Sequence, residues 1–312
     1  MSLPVKELIK IGETQLEDAG VEDAAIDAKE LYCYMMHIDR ARLMMRWQDV
    51  MQDNQCEEYF DLIARRASRV PLQHITGEQD FMGLTFQVSD KVLIPRQDTE
   101  TLVEDALDII GKNMLRGETL HCKKRKNWSV LDLCCGSGAI GISIDRMAQG
   151  CKVTCADISA DALAVAEKNA ADLGAKSVKM IKSDMFEAFN GKLGKKKFDM
   201  IISNPPYIRS DVIRTLQPEV RDHEPLTALD GGADGLDFYR IIAEQAPEYL
   251  KKEGILIMEI GHDQMSEVTR LLSSDERYSY MTGLRDLAGR DRIVVAILSP
   301  KRKPEKKVAS ER

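Results

Sequence analysis

Residues 130–141 read Val130-Leu131-Asp132-Leu133-Cys134-Cys135-Gly136-Ser137-Gly138-Ala139-Ile140-Gly141. An apolar run leads directly into a turn of small residues, and the turn opens a helix. Such a turn allows backbone N–H groups to approach a ligand closely, and the amino end of a helix favours anionic groups. The stretch therefore predicts a strand, a glycine loop and a helix that together bind a nucleotide-like ligand.

Strand and helix patterns alternate from Trp128 onward, which is typical of a doubly wound α/β sheet. The spacing predicts seven strands, at Ser129–Leu133, Lys152–Asp157, Ser177–Lys182, Phe198–Ser203, Gly254–Ile260, Tyr278–Thr282 and Ile293–Leu298. It predicts intervening helices at Ile140–Ala148, Ala160–Leu173 and Leu236–Tyr249. The predicted fold class is accordingly α/β, with a seven-stranded Rossmann-like sheet.

The first seventy residues have a different pattern, with apolar residues recurring at threes and fours as in helices. Helices are expected before Gly20, over Ala24–His37 and over Gln55–Arg69, and a β-hairpin over Pro71–Asp90, whose segment 84–88 alternates in polarity. A further helix is expected over Thr99–Ile110, followed by a polar loop at 111–127. The predicted organisation is an all-helical domain (1–72), a hairpin linker (73–98), an α/β domain (99–300) and a basic tail (301–312).

Composition narrows the class of protein. A chain of 312 residues fits two domains, and its net charge of −7 argues against a large nucleic-acid-binding surface, which needs clustered Lys and Arg. The seven cysteines lack C-x-x-C spacing and the five histidines are scattered, so reduced thiols and no metal are expected. No secretory signal or membrane span is recognisable in the sequence, and a cytoplasmic location is the expectation.

The glycine loop alone does not identify its ligand. Gly136-x-Gly138-x-x-Gly141 with Asp157 one strand later also fits the fingerprint of NAD-dependent oxidoreductases, in which the acidic residue binds ribose hydroxyls. Asp132 suits the amino-acid end of S-adenosylmethionine better than a pyrophosphate. Asp184, after the third strand, is placed either to reach an adenine amine or to cap a helix.

Asn204-Pro205-Pro206-Tyr207 follows the fourth strand, at the edge where α/β folds bind their ligands. The two prolines remove two N–H donors and leave carbonyls that can only accept. A substrate NH₂ group could therefore donate to the Asn204 oxygen and the Pro205 carbonyl, while the Tyr207 ring stacks on its planar group. This pattern predicts methyl transfer to an amide or exocyclic amine nitrogen, with Asn204, Pro205 and Tyr207 catalytic and Pro206 in the substrate site.

The glycine loop together with this motif resembles the class I, N-directed methyltransferases, which include DNA adenine N6-methyltransferases. Four further segments resemble release-factor glutamine methyltransferases: Pro71–Glu78, Val92–Glu100, Glu224–Leu236 and Asp286–Arg292. The resemblance covers almost the whole chain. It implies a helical domain that recognises a bacterial peptide chain release factor and a domain that methylates N5 of the glutamine in its Gly-Gly-Gln motif.

The resemblance implies S-adenosylmethionine as cofactor. The expected cofactor residues are Asp132, Cys134, Cys135, Gly136, Ser137, Gly138, Asp157, Asp184, Met185 and Asn204. Three positions depart from the family pattern, which often has glycine at Cys134, proline at Gln97 and an aromatic near Met185. Methylation of adenine in nucleic acid and of a ribosomal-protein glutamine remain as alternatives, with no direct nucleic-acid or membrane binding expected.

Overall fold

The computed structural model of the chain describes residues 3–191, 194–286 and 288–299. The predicted basic tail, 301–312, lies outside the described residues. All seven cysteines lie within them, and none of them forms a disulfide in the described part of the chain.

The amino-terminal part is helical. Its helices are α1 (Val5–Asp18), α2 (Ala24–Met36), α3 (Arg40–Met45), α4 (Asp53–Ala67) and α5 (Leu72–Thr76), and its strands β1 (Leu3–Pro4) and β2 (Val50–Met51) pair antiparallel. Leucines, isoleucines and two tyrosines on the inner faces of α1, α2 and α4 form one separate core. Tyr59 is fully buried, and its hydroxyl donates to the Ala28 carbonyl at 3.0 Å.

A hairpin joins this helical part to the sheet. Strands β3 (Glu78–Phe81) and β4 (Leu84–Gln87) pair antiparallel, as the alternating pattern predicts, but the start of the span predicted as a hairpin, Leu72–Thr76, is helix α5 instead. Helix α6 (Gln97–Lys112) follows. The expectation of a simple loop at 111–127 is wrong in part, because β5 (Met114–Leu115) and β6 (Glu118–Thr119) form a second small hairpin.

The central sheet has seven strands in the order β14-β15-β13-β12-β7-β8-β9. They are β7 (Trp128–Leu133), β8 (Cys151–Asp157), β9 (Lys179–Lys182), β12 (Phe198–Ser203), β13 (Leu250–Glu259), β14 (Tyr278–Arg285) and β15 (Asp291–Leu298), and a two-stranded ribbon of β10 (Asn190–Gly191) and β11 (Gly194–Lys195) lies apart. Strand β15 runs opposite to the other six strands and so pairs antiparallel with both β13 and β14. Every predicted strand is confirmed, with bounds that differ by a few residues.

Helices cover both faces of the sheet, as parallel strands require. They are α7 (Ala139–Met147), α8 (Ala160–Asp172), α9 (Pro218–Arg221), α10 (Leu226–Leu229), α11 (Asp237–Tyr249) and α12 (Met265–Ser273), with 3₁₀ turns at Glu187–Phe189 and Ile213–Thr215. Alternate residues of β7 enter opposite cores: Trp128 and Val130 pack on one face, Leu131 and Leu133 on the other. Strand β7 is thus buried on both sides.

An ion-pair cluster connects the helical part to the segment that follows the fourth predicted strand. Glu219 of α9 accepts from Arg66 at 2.9 Å and from Arg69 at 2.6 Å, and Arg66 also pairs with Asp27 at 2.7 Å. Burial alone would raise the pKa of Glu219, but the arginine hydrogen bonds outweigh it and lower the pKa to about 2. The carboxylate thus anchors α9 to the helical part through two cations.

Glu219→Gln is expected to lower the free energy of unfolding by about 1.5–3 kcal/mol at neutral pH, because charged hydrogen bonds to Arg66 and Arg69 are lost. Since the folded pKa is depressed, the carboxylate stabilises the fold above its unfolded pKa of about 4.3 and loses this effect as pH falls toward 2. Urea unfolding at pH 7 and pH 3 measures both. Asp222→Asn, in an exposed ion pair, is the control and should change stability by less than about 0.5 kcal/mol; equal effects of the two variants would contradict the prediction.

Candidate functional site

The turn after β7 has the geometry of a ligand-binding loop. Gly136 and Gly138 have φ angles of 54° and 79°, and Gly138 is the N-cap of α7. Cys134 also lies in the left-handed region, with φ 60°, where a side chain is strained by about 1–2 kcal/mol. Glycine would adopt this conformation without that cost.

Asp157, at the end of β8, accepts hydrogen bonds from the glycine loop and from the start of α8. Its Oδ2 accepts from the backbone N–H of Gly136 and its Oδ1 from that of Ser159, both at 2.9 Å. One carboxylate therefore organises both the glycine loop and the start of α8. Each oxygen keeps a second lone pair that can accept from a ligand hydroxyl.

Asp132 lies beneath the loop and is fully buried. Its Oδ2 accepts from the Gly141 N–H at 2.8 Å and from the Cys155 thiol at 3.7 Å, and its Oδ1 has no partner in the described structure. Burial raises the pKa of Asp132 to about 7 against these hydrogen bonds. The carboxylate fixes the first turn of α7 from below.

One cavity of about 570 Å³ opens at the carboxyl edge of the sheet. Of the predicted site residues, it is lined by Cys134, Cys135, Gly136, Ser137, Asp157, Asp184, Met185, Asn204 and Pro206. Asp132, Gly138, Pro205 and Tyr207 do not line it. The volume suits a nucleoside-sized ligand with space for a second group.

The cavity is continuous because β7 and β12 lie side by side. Leu133 is the register partner of Ser203, and the Ser203 hydroxyl donates to the Leu133 carbonyl at 2.7 Å. The loop that follows each strand therefore starts at the same point of the sheet edge. The glycine loop and Asn204 meet there.

Asn204 is half-buried on the cavity wall, and Pro205 and Pro206 are buried. The Asn204 side-chain NH₂ donates to the Thr99 hydroxyl at 3.2 Å. Thr99 in turn donates to Glu259 at 2.6 Å. The amide of Asn204 is thus held from behind by side chains of α6 and β13.

Tyr207 packs against the apolar core, and burial raises the pKa of its hydroxyl to about 12. Its carbonyl accepts from the Gln264 amide at 3.0 Å. A Cβ atom on Gly231 would lie 2.7 Å from the Tyr207 Cα, so this close approach requires glycine. The backbone after the prolines is therefore held rigidly, while stacking of the Tyr207 ring on a substrate remains a prediction.

The rim of the cavity joins two segments far apart in sequence. Arg96 donates to both oxygens of the buried Glu224 at 2.7 Å and itself lines the cavity. Pro225 and Leu226 line the same side. The ion pair therefore connects the segments 92–100 and 224–236 at the cavity entrance.

Three residues near the site were not singled out from the sequence. Asn169 of α8 donates to the carbonyls of Ser137 and Gln87, which ties the glycine loop to the hairpin. Thr99 and Glu259 support Asn204. Glu259 could have been found from the sequence, because it is an acidic residue directly after the apolar residues of β13. Burying such a residue costs free energy, which indicates a functional role.

No group of His, Cys, Asp and Glu that could hold a metal ion is found among residues 3–191, 194–286 and 288–299. Within the same ranges, no helix is long and apolar enough to cross a membrane.

Residues 7–77 match a family model described as the PrmC N-terminal domain, and residues 124–296 match one described as a methyltransferase domain. The catalytic domain of hMettl16, solved with an MAT2A 3'UTR hairpin, is similar in fold alone, with a TM-score of 0.53 and 13% identity over 84% of this chain and 92% of that one. The fold and site therefore define a methyltransferase of the α/β, Rossmann-like class. The dehydrogenase interpretation of the glycine loop is wrong.

The chain belongs to the family of release factor glutamine methyltransferases. It is 38% identical to the release factor glutamine methyltransferase of Clostridium acetobutylicum over 95% of this chain and 99% of that protein. It is 39% identical to the protein of the same name from Geobacter sulfurreducens over 89% of this chain and 91% of that protein. The resemblance seen in the motifs is thereby confirmed.

Gly141→Ala is expected to destabilise the protein by about 1–3 kcal/mol, because the site is fully packed. The added Cβ would lie 2.5 Å from the Cys155 sulfur and 2.9 Å from the Asp132 Oδ2. Thermal and urea unfolding measure the change. Gly111→Ala is the control, because Gly111 has open space in helix α6 and the substitution should stabilise by about 0.5–1 kcal/mol. If Gly141→Ala were as stable as the wild type, the neighbouring side chains would have moved to make room and the prediction would be wrong.

Proposed function

We propose that this protein transfers a methyl group from S-adenosylmethionine to the side-chain amide nitrogen (N5) of the glutamine in the Gly-Gly-Gln motif of bacterial peptide chain release factors. The observation that carries the proposal is that the glycine loop and Asp157 line the same cavity as Asn204 and Pro206. Cofactor and substrate groups would then be neighbours. The names of the full-length relatives supply the substrate.

The residues present fit this cofactor. Around Gly136 there is open space, since a Cβ there would meet nothing within 4 Å, so a ligand can lie on the backbone. Asp157 and Asp184 offer carboxylates at the cavity wall for hydroxyl and amine groups, and Asp184 has an exposed side chain. Cys134, Cys135 and Met185 supply the apolar lining. Bound there, S-adenosylmethionine would supply an electrophilic methyl group and leave as S-adenosylhomocysteine, while the amide nitrogen would lose one proton.

Asp132 would act from beneath. Its unpartnered buried Oδ1 is an acceptor that the described residues do not satisfy, and a buried acceptor of this kind costs about 1–3 kcal/mol. A buried water between Asp132 and a bound cofactor would satisfy it. Because Asp132 does not line the cavity, we assign it an indirect role in cofactor binding.

Asn204 and the prolines would activate the substrate by orienting it. An amide nitrogen is a poor nucleophile because its lone pair is delocalised into the carbonyl. Acceptors that take both N–H hydrogens align the nitrogen and favour the positive charge that it gains as it attacks. Asn204 Oδ1 and the Pro205 carbonyl are the proposed acceptors, and Pro206 shapes the wall beside them.

The amide of glutamine is favoured over the amine of adenine by the family to which the chain belongs. The net charge of −7 is also poorly suited to a polyanionic substrate. Release factors act in translation, so the proposed reaction takes place in the cytoplasm. The partner is a protein whose Gly-Gly-Gln loop must reach the cavity.

Incubation with S-adenosylmethionine labelled in its methyl group tests the proposal. The substrates are a bacterial release factor, the same factor with its Gly-Gly-Gln glutamine replaced by alanine, ribosomal proteins, and DNA and RNA. Label on the glutamine of the unaltered factor, and its absence from the alanine control, is the expected result. Label on ribosomal protein or nucleic acid in preference to the factor would overturn the proposal.

Asn204→Ala is expected to lower kcat on the order of 10²-fold, because one acceptor for the substrate amide is lost. Its affinity for S-adenosylhomocysteine should change by no more than about threefold, which corresponds to about 0.7 kcal/mol. Single-turnover assays and calorimetry measure the two effects. Unchanged turnover would exclude Asn204 from the reaction.

A further inference from the structure

The three side chains behind the cavity form a hydrogen-bonded chain with a defined direction. The Asn204 NH₂ donates to the Thr99 oxygen at 3.2 Å, and the Thr99 hydroxyl donates to Glu259 Oε2 at 2.6 Å. Thr99 is 4% exposed and Glu259 is 2% exposed, so water does not compete for these contacts. In the described structure, the Asn204 Oδ1 receives no hydrogen bond from a protein donor.

The direction of the chain follows from donor chemistry. A carboxylate only accepts, so the single hydroxyl hydrogen of Thr99 is used on Glu259. The Thr99 oxygen can then only accept, and the amide group able to donate to it is the NH₂ of Asn204. The opposite amide orientation would place two acceptors face to face, at a cost of about 1–3 kcal/mol.

We propose that Thr99 and Glu259 are positioning residues that fix the amide of Asn204 with its oxygen toward the cavity, so that the site accepts hydrogens from a substrate NH₂ group. The proposal rests on the proposed function for the identity of that substrate. Without the chain, the amide could turn and present its own NH₂, which would repel the donor that it has to receive.

Glu259 is an unusual residue for a purely structural role. It follows Ile255-Leu256-Ile257-Met258 at the end of β13, and none of the described cations makes a direct ion pair with it. Arg292, a cation that lowers the pKa of Glu259, is paired with Asp98 at 3.0 Å and Asp286 at 3.3 Å. Burying the Glu259 carboxylate away from water costs free energy. Its position as a hydrogen-bond acceptor next to Asn204 explains why a carboxylate lies there.

The same chain makes activity sensitive to pH. Burial raises the pKa of Glu259 to about 7, opposed by the hydrogen bond from Thr99, by Arg292 and by the side chain of Asn204. The other charged or titratable groups that face it are Asp98 of α6, Tyr207 and Tyr239 of α11. A protonated Glu259 can donate to Thr99, which frees the hydroxyl to donate to a turned Asn204. Turnover should therefore fall as pH drops below about 7.

Thr99→Val removes the hydroxyl with little change of shape and is expected to lower kcat about 10-fold, the equivalent of one hydrogen bond of about 1.4 kcal/mol. Thr99→Ser should restore it. Thr154→Val is the matched control, because Thr154 is also buried but bonds to Lys196 at 3.2 Å outside the cavity. Its turnover should equal that of the wild type.

A double-mutant cycle separates positioning from stability. In the Asn204→Ala background, Thr99→Val should have no further effect on kcat, because the amide it orients is gone. Urea unfolding gives the stability of each variant. Full additivity of the two substitutions, or a wild-type kcat of Thr99→Val on an unmethylated release factor, would overturn the inference.

Two further measurements test the chain in other ways. The first, by NMR, needs no release factor, and the second follows the pH dependence of kcat. The side-chain NH₂ of Asn204, assigned in NMR spectra by its loss in Asn204→Ala, should be protected from exchange in the wild type and less protected in Thr99→Val. The acidic limb of the kcat profile should disappear in Glu259→Gln, whose amide oxygen still accepts from Thr99. An unprotected NH₂ in the wild type would contradict the chain itself, whereas a protected NH₂ without glutamine methylation would overturn only the proposed function.

Discussion

The parallel pairing of β7 with β12 is the contact on which the site depends. It places Leu133 beside Ser203, and the hydrogen bond of 2.7 Å between them holds the two strand ends level. Two loops that are about seventy residues apart in sequence then leave the sheet at one point. One loop offers backbone and carboxylates to a cofactor, and the other offers acceptors to a substrate.

The buried carboxylates of this fold fall into two groups. Asp199, near the amino end of β12, is neutralised by Arg125 at 2.6 Å and Lys251 at 2.7 Å and acts as a structural anchor. Asp132 and Glu259 lie near the carboxyl edge without a direct cationic partner, and burial raises the pKa of each to about 7. Carboxylates of this second kind cluster at functional sites. Here they support the glycine loop and Asn204 from behind.

The elements that the sequence predicted well are those in which apolar residues recur at the regular spacing of a strand or a helix. The seven strands and the long helices have enough buried apolar residues to show it, as in Val130-Leu131 or Ile201-Ile202. The hairpin at 114–119 was missed because its strands have two residues each, too few for any period. Helix α12 was also missed; its nine residues lack a side-chain N-cap, although they carry an apolar face.

The sequence by itself determined the fold class, the glycine loop, the four-residue motif at Asn204 and the family. Each of these depends on residues that are close together in the chain or on several recognisable segments. Only the tertiary structure decided which of these residues meet. It places Asp132 beneath the cavity and Gly138, Pro205 and Tyr207 away from its wall, and it brings Thr99 and Glu259 to Asn204. Strand order and long-range packing set those distances, and neither can be read from local pattern.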